Sequence, residues 1–271
     1  MKIAILYEHR LDYCPPLVAI ARTCASLGEE VVVICNEVDE SIKQLLSSEG
    51  IDVIEMELNL PVTTGKWYGK LRGFRRIPDL IHWHIYKKKR HHILQSILKK
   101  RTVDLFWIAW ENKKQLVDEV IYDYPFVLQF FELWDYYTAN RAVAEIARRA
   151  SVVVVPEFCR AHIGAWIMGL AEIPEVLVNK PFATPTQRHL PISDAGTAEL
   201  LAKAGGKKIL LYQGNITRNR CPLQLAEASI ALADEYTLVL LGRTFDDQLD
   251  RLLRINPDII YLPFRPAPEH L

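Results

Sequence analysis

No Cys-x-x-Cys pair occurs in the sequence: its five cysteines, Cys14, Cys24, Cys35, Cys159 and Cys221, are odd in number and widely spaced. That pattern fits neither a disulfide framework nor a zinc site, and it points to a reducing, cytosolic setting. No apolar run approaches the roughly 18 residues needed to cross a bilayer. Even residues 105–110 and 152–155 are only strand-length. The charge at Glu8 ends the N-terminal apolar run too early for a signal-peptide core. Net charge is missing as well. Lysine plus arginine and aspartate plus glutamate stand at 33 each, so no global field directs the chain towards nucleic acid or an acidic partner. Gly-x-Ser-x-Gly, His-Glu-x-x-His and Walker sequences are absent, which leaves hydrolase, zinc-protease and ATPase readings without support.

What is present is an alternation of short apolar runs and helix-period segments. Residues 2–7 read as a strand, 16–27 as a helix stopped by Gly28, and 31–35 as a β-branched strand. Together they have the length and order of one βαβ unit. Strands are expected again at 53–56, 103–109, 125–130 and 151–155, with helices at 41–49 and 137–149. Runs that are apolar throughout belong to strands covered on both faces, so the pattern predicts an α/β fold with a parallel, doubly wound sheet.

Between residues 182 and 208 the character changes. Pro181, Pro185 and Pro191 punctuate a polar stretch, a short helix spans about 194–204, and Gly205-Gly206 closes it. The pattern then restarts with strands at 209–213, 237–241 and 259–262 and helices at 222–233 and 246–253. The expected organisation is a Rossmann-like domain over 1–182, a linker over 183–206 and a second βαβαβ unit over 207–271. Three strands and two helices make a thin core against the chain entropy lost on folding, so this second domain is expected to be incomplete.

The segment 212–222 carries its own chemistry. A strand ending in Gly214, a loop bearing Arg218 and Arg220, and a helix starting near Pro222 offer backbone N–H groups, a helix dipole and fixed positive charge. Those are the parts a diphosphate needs. Two readings stand side by side: the arginines grip phosphate oxygens, or they are solvated loop charges.

Several local patterns resemble the GT-B glycosyltransferases, specifically the large retaining, family-4-like group related to sucrose, glycogen and mannosyl transferases. Leu27-Gly28-Glu29-Glu30-Val31-Val32-Val33-Ile34 looks like that group's first helix-to-strand turn, and the segment from Pro125 to Asp135 is similar to its entry into the interdomain cleft. Glu145 to Pro156 and Asn179-Lys180-Pro181 resemble the end of its acceptor domain. Tyr212-Gln213-Gly214-Asn215-Ile216-Thr217-Arg218-Asn219-Arg220, then a helix, a strand and Leu241-Gly242, is similar to the opening of its donor domain.

The resemblance implies a GT-B fold of two Rossmann-like domains and hexosyl transfer from a nucleoside-diphosphate sugar to an acceptor, with no metal or other cofactor. It implies that Gly214, Asn215, Arg218 and Arg220 bind the donor diphosphate, with Arg220 at the position of the group's basic residue and Asn215 where an arginine is usual. Arg220 would then stabilise the charge building on the departing diphosphate. Glu132 is the catalytic candidate, just beyond a strand, although Phe131 stands where the group has histidine. Asp135, His9 and Arg10 are candidate cleft contacts; a surface carboxylate is the plainer reading of Glu132. The loop from His9 to Pro16 has no glycine, unlike the group's glycine pair. The sequence ends before the group's paired glutamates, so the chain is expected to be truncated, with a second polypeptide as a conceivable complement. Two further alternatives stay open: a catalytically silent binding module, and a nucleotide-sugar epimerase.

Residues 66–101 hold twelve lysines and arginines against one acid, Asp79, with aromatic residues interleaved. Such a surface suits anionic phospholipid, which predicts peripheral attachment to the inner face of a membrane; a solvated helix plus basic loop is the alternative. No nucleic-acid motif accompanies it. His82, His84, His91 and His92 are read as part of that basic surface rather than as metal ligands.

Overall fold

The computed structural model describes residues 1–58, 76–110, 117–132, 141–180, 182, 195–217, 220, 222–244 and 247–263. The chain divides into two units, Met1–Thr184 and Pro185–Leu271.

In the first unit the chain runs β1 (Lys2–Arg10), a 3-10 turn (Leu11–Tyr13), α1 (Pro15–Ser26), β2 (Glu30–Glu37), α2 (Glu40–Ser48) and β3 (Asp52–Glu55). It continues with α3 (Arg76–Lys100), β4 (Leu105–Trp110), a second 3-10 turn (Glu119–Asp123), β5 (Phe126–Phe130), α4 (Arg141–Arg149), β6 (Val152–Val155), α5 (Phe158–Met168) and β7 (Glu175–Val176). The strands form one sheet in the order β3-β2-β1-β4-β5-β6-β7, every pair parallel.

The two-residue period of the strands builds two cores from one run of apolar residues. Ile3, Ile5 and Tyr7 of β1 pack with Val31, Val33 and Cys35 against Leu17, Ala21, Ile42 and Leu46 of α1 and α2. Ala4 and Leu6 pack with Val32 and Ile34 on the other face, where Leu94 and Ile97 of α3 and residues of α4 and α5 cover them. This is the doubly wound sheet that the uninterrupted apolar runs predict. Helix ends follow their local chemistry: Asp39 accepts from Ser41 N at 3.0 Å ahead of α2, and Glu157 accepts from Cys159 N and Arg160 N at 2.7 and 3.0 Å ahead of α5. Gly169 stops α5 in the left-handed region at φ 60°. Both α5 and β7 lie outside the elements expected from sequence, and the expected helix over 137–149 is described only as α4, since residues 133–140 lie outside the described residues.

The second unit contains α6 (Ala195–Ala204), β8 (Lys208–Gln213), α7 (Pro222–Ile230), β9 (Tyr236–Gly242), α8 (Gln248–Ile255) and β10 (Ile260–Pro263). Its described strands form a parallel sheet in the order β10-β9-β8. Ile216, Ala226, Leu238, Leu240, Leu252 and Ile259 are its buried core. Asp247, at the start of α8, makes no side-chain cap and instead holds Arg251 one turn on, Nε to Oδ2 2.9 Å. Among the described residues no helix is long and apolar enough to cross a membrane.

Candidate functional site

In the first unit the connections reverse direction between β1 and β4, so the C-terminal ends of these two strands form the switch point at which open α/β sheets collect ligand groups. His9 and Arg10 stand at the end of β1, past an irregularity in the β1–β2 register that follows Tyr7. The His9 ring meets Tyr7 edge-on at 5.6 Å. Arg10 is already engaged: Nε donates to both oxygens of Asp12 at 2.8 Å, and Nη2 lies 3.8 Å from Asp39 Oδ2. The Asp12 carboxylate holds the Arg10 guanidinium above its ordinary pKa. Glu132 lies just past β5 with its side chain half exposed, and its Oε2 is 3.5 Å from Arg160 Nη1 of α5. Arg160 also donates to the Phe131 carbonyl, so the β5 end is tied to the start of α5. Asp135 lies outside the described residues.

Beneath the β1 end sits a cluster that the sequence reading assigned elsewhere. Arg90 of α3, counted among the basic surface residues, is only 2% exposed. Its Nη1 donates to Glu8 Oε1 at 2.5 Å and its Nε to Asp118 Oδ2 at 3.3 Å. Tyr86 Oη donates to Glu8 Oε2 at 2.9 Å, and His91 Nδ1 is 2.7 Å from Asp118 Oδ1. Arg90 therefore belongs to an interior ion-pair network, which corrects its assignment to the membrane-facing surface, while the partly exposed His91 ring borders that network through Asp118. Burial pushes the Glu8 carboxyl above the usual glutamate range, and the Arg90 charge opposes that rise. Burial likewise raises the Tyr86 phenol, with Glu8 beside it adding to the effect. A signal for this was available: Tyr86, Arg90, Leu94 and Ile97, the buried residues among the described side chains of α3, recur at helical spacing.

In the second unit the loops leaving β8 and β9 run side by side. Gly214 N donates to Leu241 O at 2.9 Å, Ile216 N donates to Arg243 O at 2.7 Å, and Ile216 bridges to Thr244. Gly214 and Gly242 have φ of 140° and 153°, backbone that side-chain-bearing residues rarely adopt. A Cβ on Gly242 would lie 1.8 Å from the Gly214 carbonyl oxygen, so these two strand ends meet backbone to backbone. Asn215 is exposed, and its carbonyl accepts from Tyr212 Oη at 2.8 Å. Arg220 is exposed in a turn closed by its own N–H on Thr217 O at 3.1 Å, immediately ahead of α7. Arg218 lies outside the described residues. The structure thus brings Gly214, Asn215 and Arg220 to one end of the sheet, next to the first turn of α7. It adds Arg243, which sequence reasoning passed over because only the β8–β9 pairing sets it beside Ile216.

Among the described residues no group of three or more His, Cys, Asp or Glu side chains is placed to hold a metal ion. The described cysteines are all thiols, and burial pushes Cys35 up to about 12.

No family model and no curated protein matches this sequence. Solved structures do. Anabaena Alr3699/HepE in complex with UDP and glucose is similar with a TM-score of 0.55 at 19% identity, covering 98% of this chain and 70% of that one. A glycosyltransferase from Rickettsia africae ESF-5 is similar with a TM-score of 0.57 at 14% identity, covering 97% and 69%. A Listeria monocytogenes protein provisionally assigned as a UDP-N-acetylglucosamine 2-epimerase has a TM-score of 0.56 at 10% identity, covering 99% and 70%. At these identities the likeness establishes the fold: the chain has the two Rossmann-like α/β units of the GT-B architecture.

Proposed function

We propose that this chain takes part in transferring a hexose from a nucleoside-diphosphate sugar to an acceptor, with the donor diphosphate lying against the Gly214–Ile216 loop. The observation that carries this is the β8 end, where Gly214 meets Gly242 of β9 backbone to backbone and the chain then leads through an exposed Asn215 and an exposed Arg220 directly into α7. The α7 N-terminus and Arg220 follow that strand end within one short loop. Backbone N–H groups, a helix dipole and a guanidinium complement a diphosphate, and they meet the charge that develops on it as the glycosyl bond breaks without calling on a metal. The Anabaena neighbour holds UDP and glucose, and the same protein has been solved with UDP-glucose. That points to uridine among the nucleotides to try first.

Titration of the purified chain with UDP by calorimetry tests the assignment. Arg220→Ala should weaken binding by on the order of 10- to 100-fold, the size of a lost charge-assisted contact. Unchanged affinity would remove Arg220 from the diphosphate site. UDP binding without sugar transfer from any UDP-sugar would favour a binding module over an enzyme, and conversion of UDP-sugar without acceptor would favour an epimerase.

Attachment to an anionic membrane on the cytoplasmic side belongs to the same proposal. Ile85, Lys88, His92 and Lys99 are solvent-facing at helical spacing on α3, with Lys100 beside them. Each such cation near an anionic interface contributes ~1 kcal/mol. Lys88→Glu, Lys99→Glu and Lys100→Glu together should therefore cut partitioning onto phosphatidylglycerol vesicles by at least about 100-fold, with no effect on neutral vesicles. Equal sedimentation of parent and variant with both vesicle types would rule this surface out.

A further inference from the structure

Helix α5 of the first unit exposes its large apolar residues. Ala161, Gly164 and Met168 turn inward, whereas Phe158, Ile163 and Trp166 are 66%, 45% and 82% exposed. Cys159 and His162 complete the outer face, and the His162 ring meets Phe158 edge-on at 4.6 Å. No formal charge interrupts that face. Arg160, the one Lys, Arg, Asp or Glu among the 11 residues of α5, turns to the β5 end, where it meets Glu132 and the Phe131 carbonyl. An apolar helix face of this kind left in water marks an interaction surface.

The neighbouring helices give the charge of the partner. α3, α4 and α5 pack on the same face of the sheet, through Leu94 and Ile97, Val143 and Ala147, and Ala161 and Met168. Their solvent sides therefore look the same way. On α3 that side shows Lys88, Lys99 and Lys100, and no acid occurs between residues 84 and 101. α4 ends on the exposed Arg148 and Arg149, with the exposed Glu145 a turn earlier. Arg148 Nη1 donates to the Met168 carbonyl at 2.9 Å, which fixes that cation beside the end of α5 that carries Trp166. Cations on two helices beside an uncharged aromatic third complement an anionic bilayer: headgroups meet the cations, and the border of the acyl chains takes tryptophan and phenylalanine.

We propose that α5 is an apolar anchor, with Phe158, Ile163 and Trp166 entering the headgroup–acyl border of an anionic phospholipid bilayer. This rests on the attachment of α3 to such a membrane, and it adds a contact that salt does not screen.

Vesicles of phosphatidylglycerol with brominated acyl chains are the test, because bromine quenches tryptophan only on contact. With the full chain bound, brominated vesicles should dim its fluorescence relative to unbrominated ones. Trp166→Phe should abolish that difference while the chain still binds. Trp166→Glu should lower partitioning by on the order of 10- to 100-fold, and the deficit should persist in about 0.5 M salt, where charge attraction is largely screened. Leu27→Glu makes the same change at a position 74% exposed at the end of α1, which covers the opposite face of the sheet, and should leave partitioning unchanged. The far-UV circular dichroism melt of each variant confirms that it folds. Binding without bromine quenching, or equal partitioning of the parent and Trp166→Glu, overturns the anchor while leaving the α3 attachment standing. Absence of binding to any phosphatidylglycerol vesicle overturns both.

Discussion

Gly242→Ala should unfold the second unit while leaving the first intact. The new Cβ would sit 1.8 Å from the Gly214 carbonyl oxygen and 2.8 Å from its carbon, and both atoms are backbone that no rotamer change can move. The residue also sits at φ 153°, where alanine is strained regardless of space. Moving either strand end breaks the Gly214 N to Leu241 O bond and the Ile216 N to Arg243 O bond beside it. A cost of about 4 kcal/mol or more follows, large against the stability of so small a core.

The readout separates the units cleanly, because all six tryptophans precede residue 185. Tryptophan fluorescence in urea should give the parent transition, while hydrogen exchange in β8 and β9 becomes fast. Gly214→Ala is the internal comparison. Its Cβ would meet nothing within 4 Å, so only strain is added, roughly 1–3 kcal/mol. Equal protection of β8 and β9 in the Gly242→Ala chain and the parent would show that the strand ends do not meet as described.

Arg90→Met should destabilise the first unit by about 3–5 kcal/mol, since it leaves two buried carboxylates without their shared cation. Glu8 is 8% and Asp118 5% exposed, and neither can turn to water without breaking its bond to Tyr86 or His91. Lys88→Met, on the exposed side of the same helix, should change stability by no more than about 0.5 kcal/mol.

The deficit should depend on pH with a definite sign. Burial raises the Glu8 pKa in the folded chain above its ordinary value of 4.5, so the folded state binds this proton more readily than the unfolded state. The contribution of Glu8 to stability therefore falls as pH rises from the unfolded value through the raised folded one. Removing Arg90 removes the charge that limits the rise. The loss in Arg90→Met should accordingly be full at neutral pH and shrink as pH falls towards 4.5. Adding Glu8→Gln should recover part of it at neutral pH, because an amide buried without a cation costs less than a carboxylate. Urea titrations followed by tryptophan fluorescence at several pH values would measure both effects. A pH-independent deficit would place the Glu8 carboxylate in water rather than in the interior.

α3 shows where sequence reading stopped short. Its run of lysine, arginine and histidine reads as a solvated face, and for Lys88, His92, Lys99 and Lys100 the structure agrees. The same run conceals Arg90, because residue type outweighs position until its buried neighbours Tyr86, Leu94 and Ile97 are recognised as one stripe. α5 was missed for a related reason. Phe158, His162 and Trp166 lie on its outer side with Phe158 and Trp166 exposed, so the apolar residues do not mark the face that packs.

The sequence by itself determined the α/β class and the strands of both sheets other than β7, because apolar runs of strand length bounded by glycine have few other uses. It also marked Gly214 and Arg220, since a strand, a glycine and a basic loop ahead of a helix are adjacent in the chain. Tertiary structure alone decided the approach of Gly242 to Gly214 and the Arg90 network across 82 residues to Glu8. Each depends on strand order and register, which bring together groups that local patterns keep far apart.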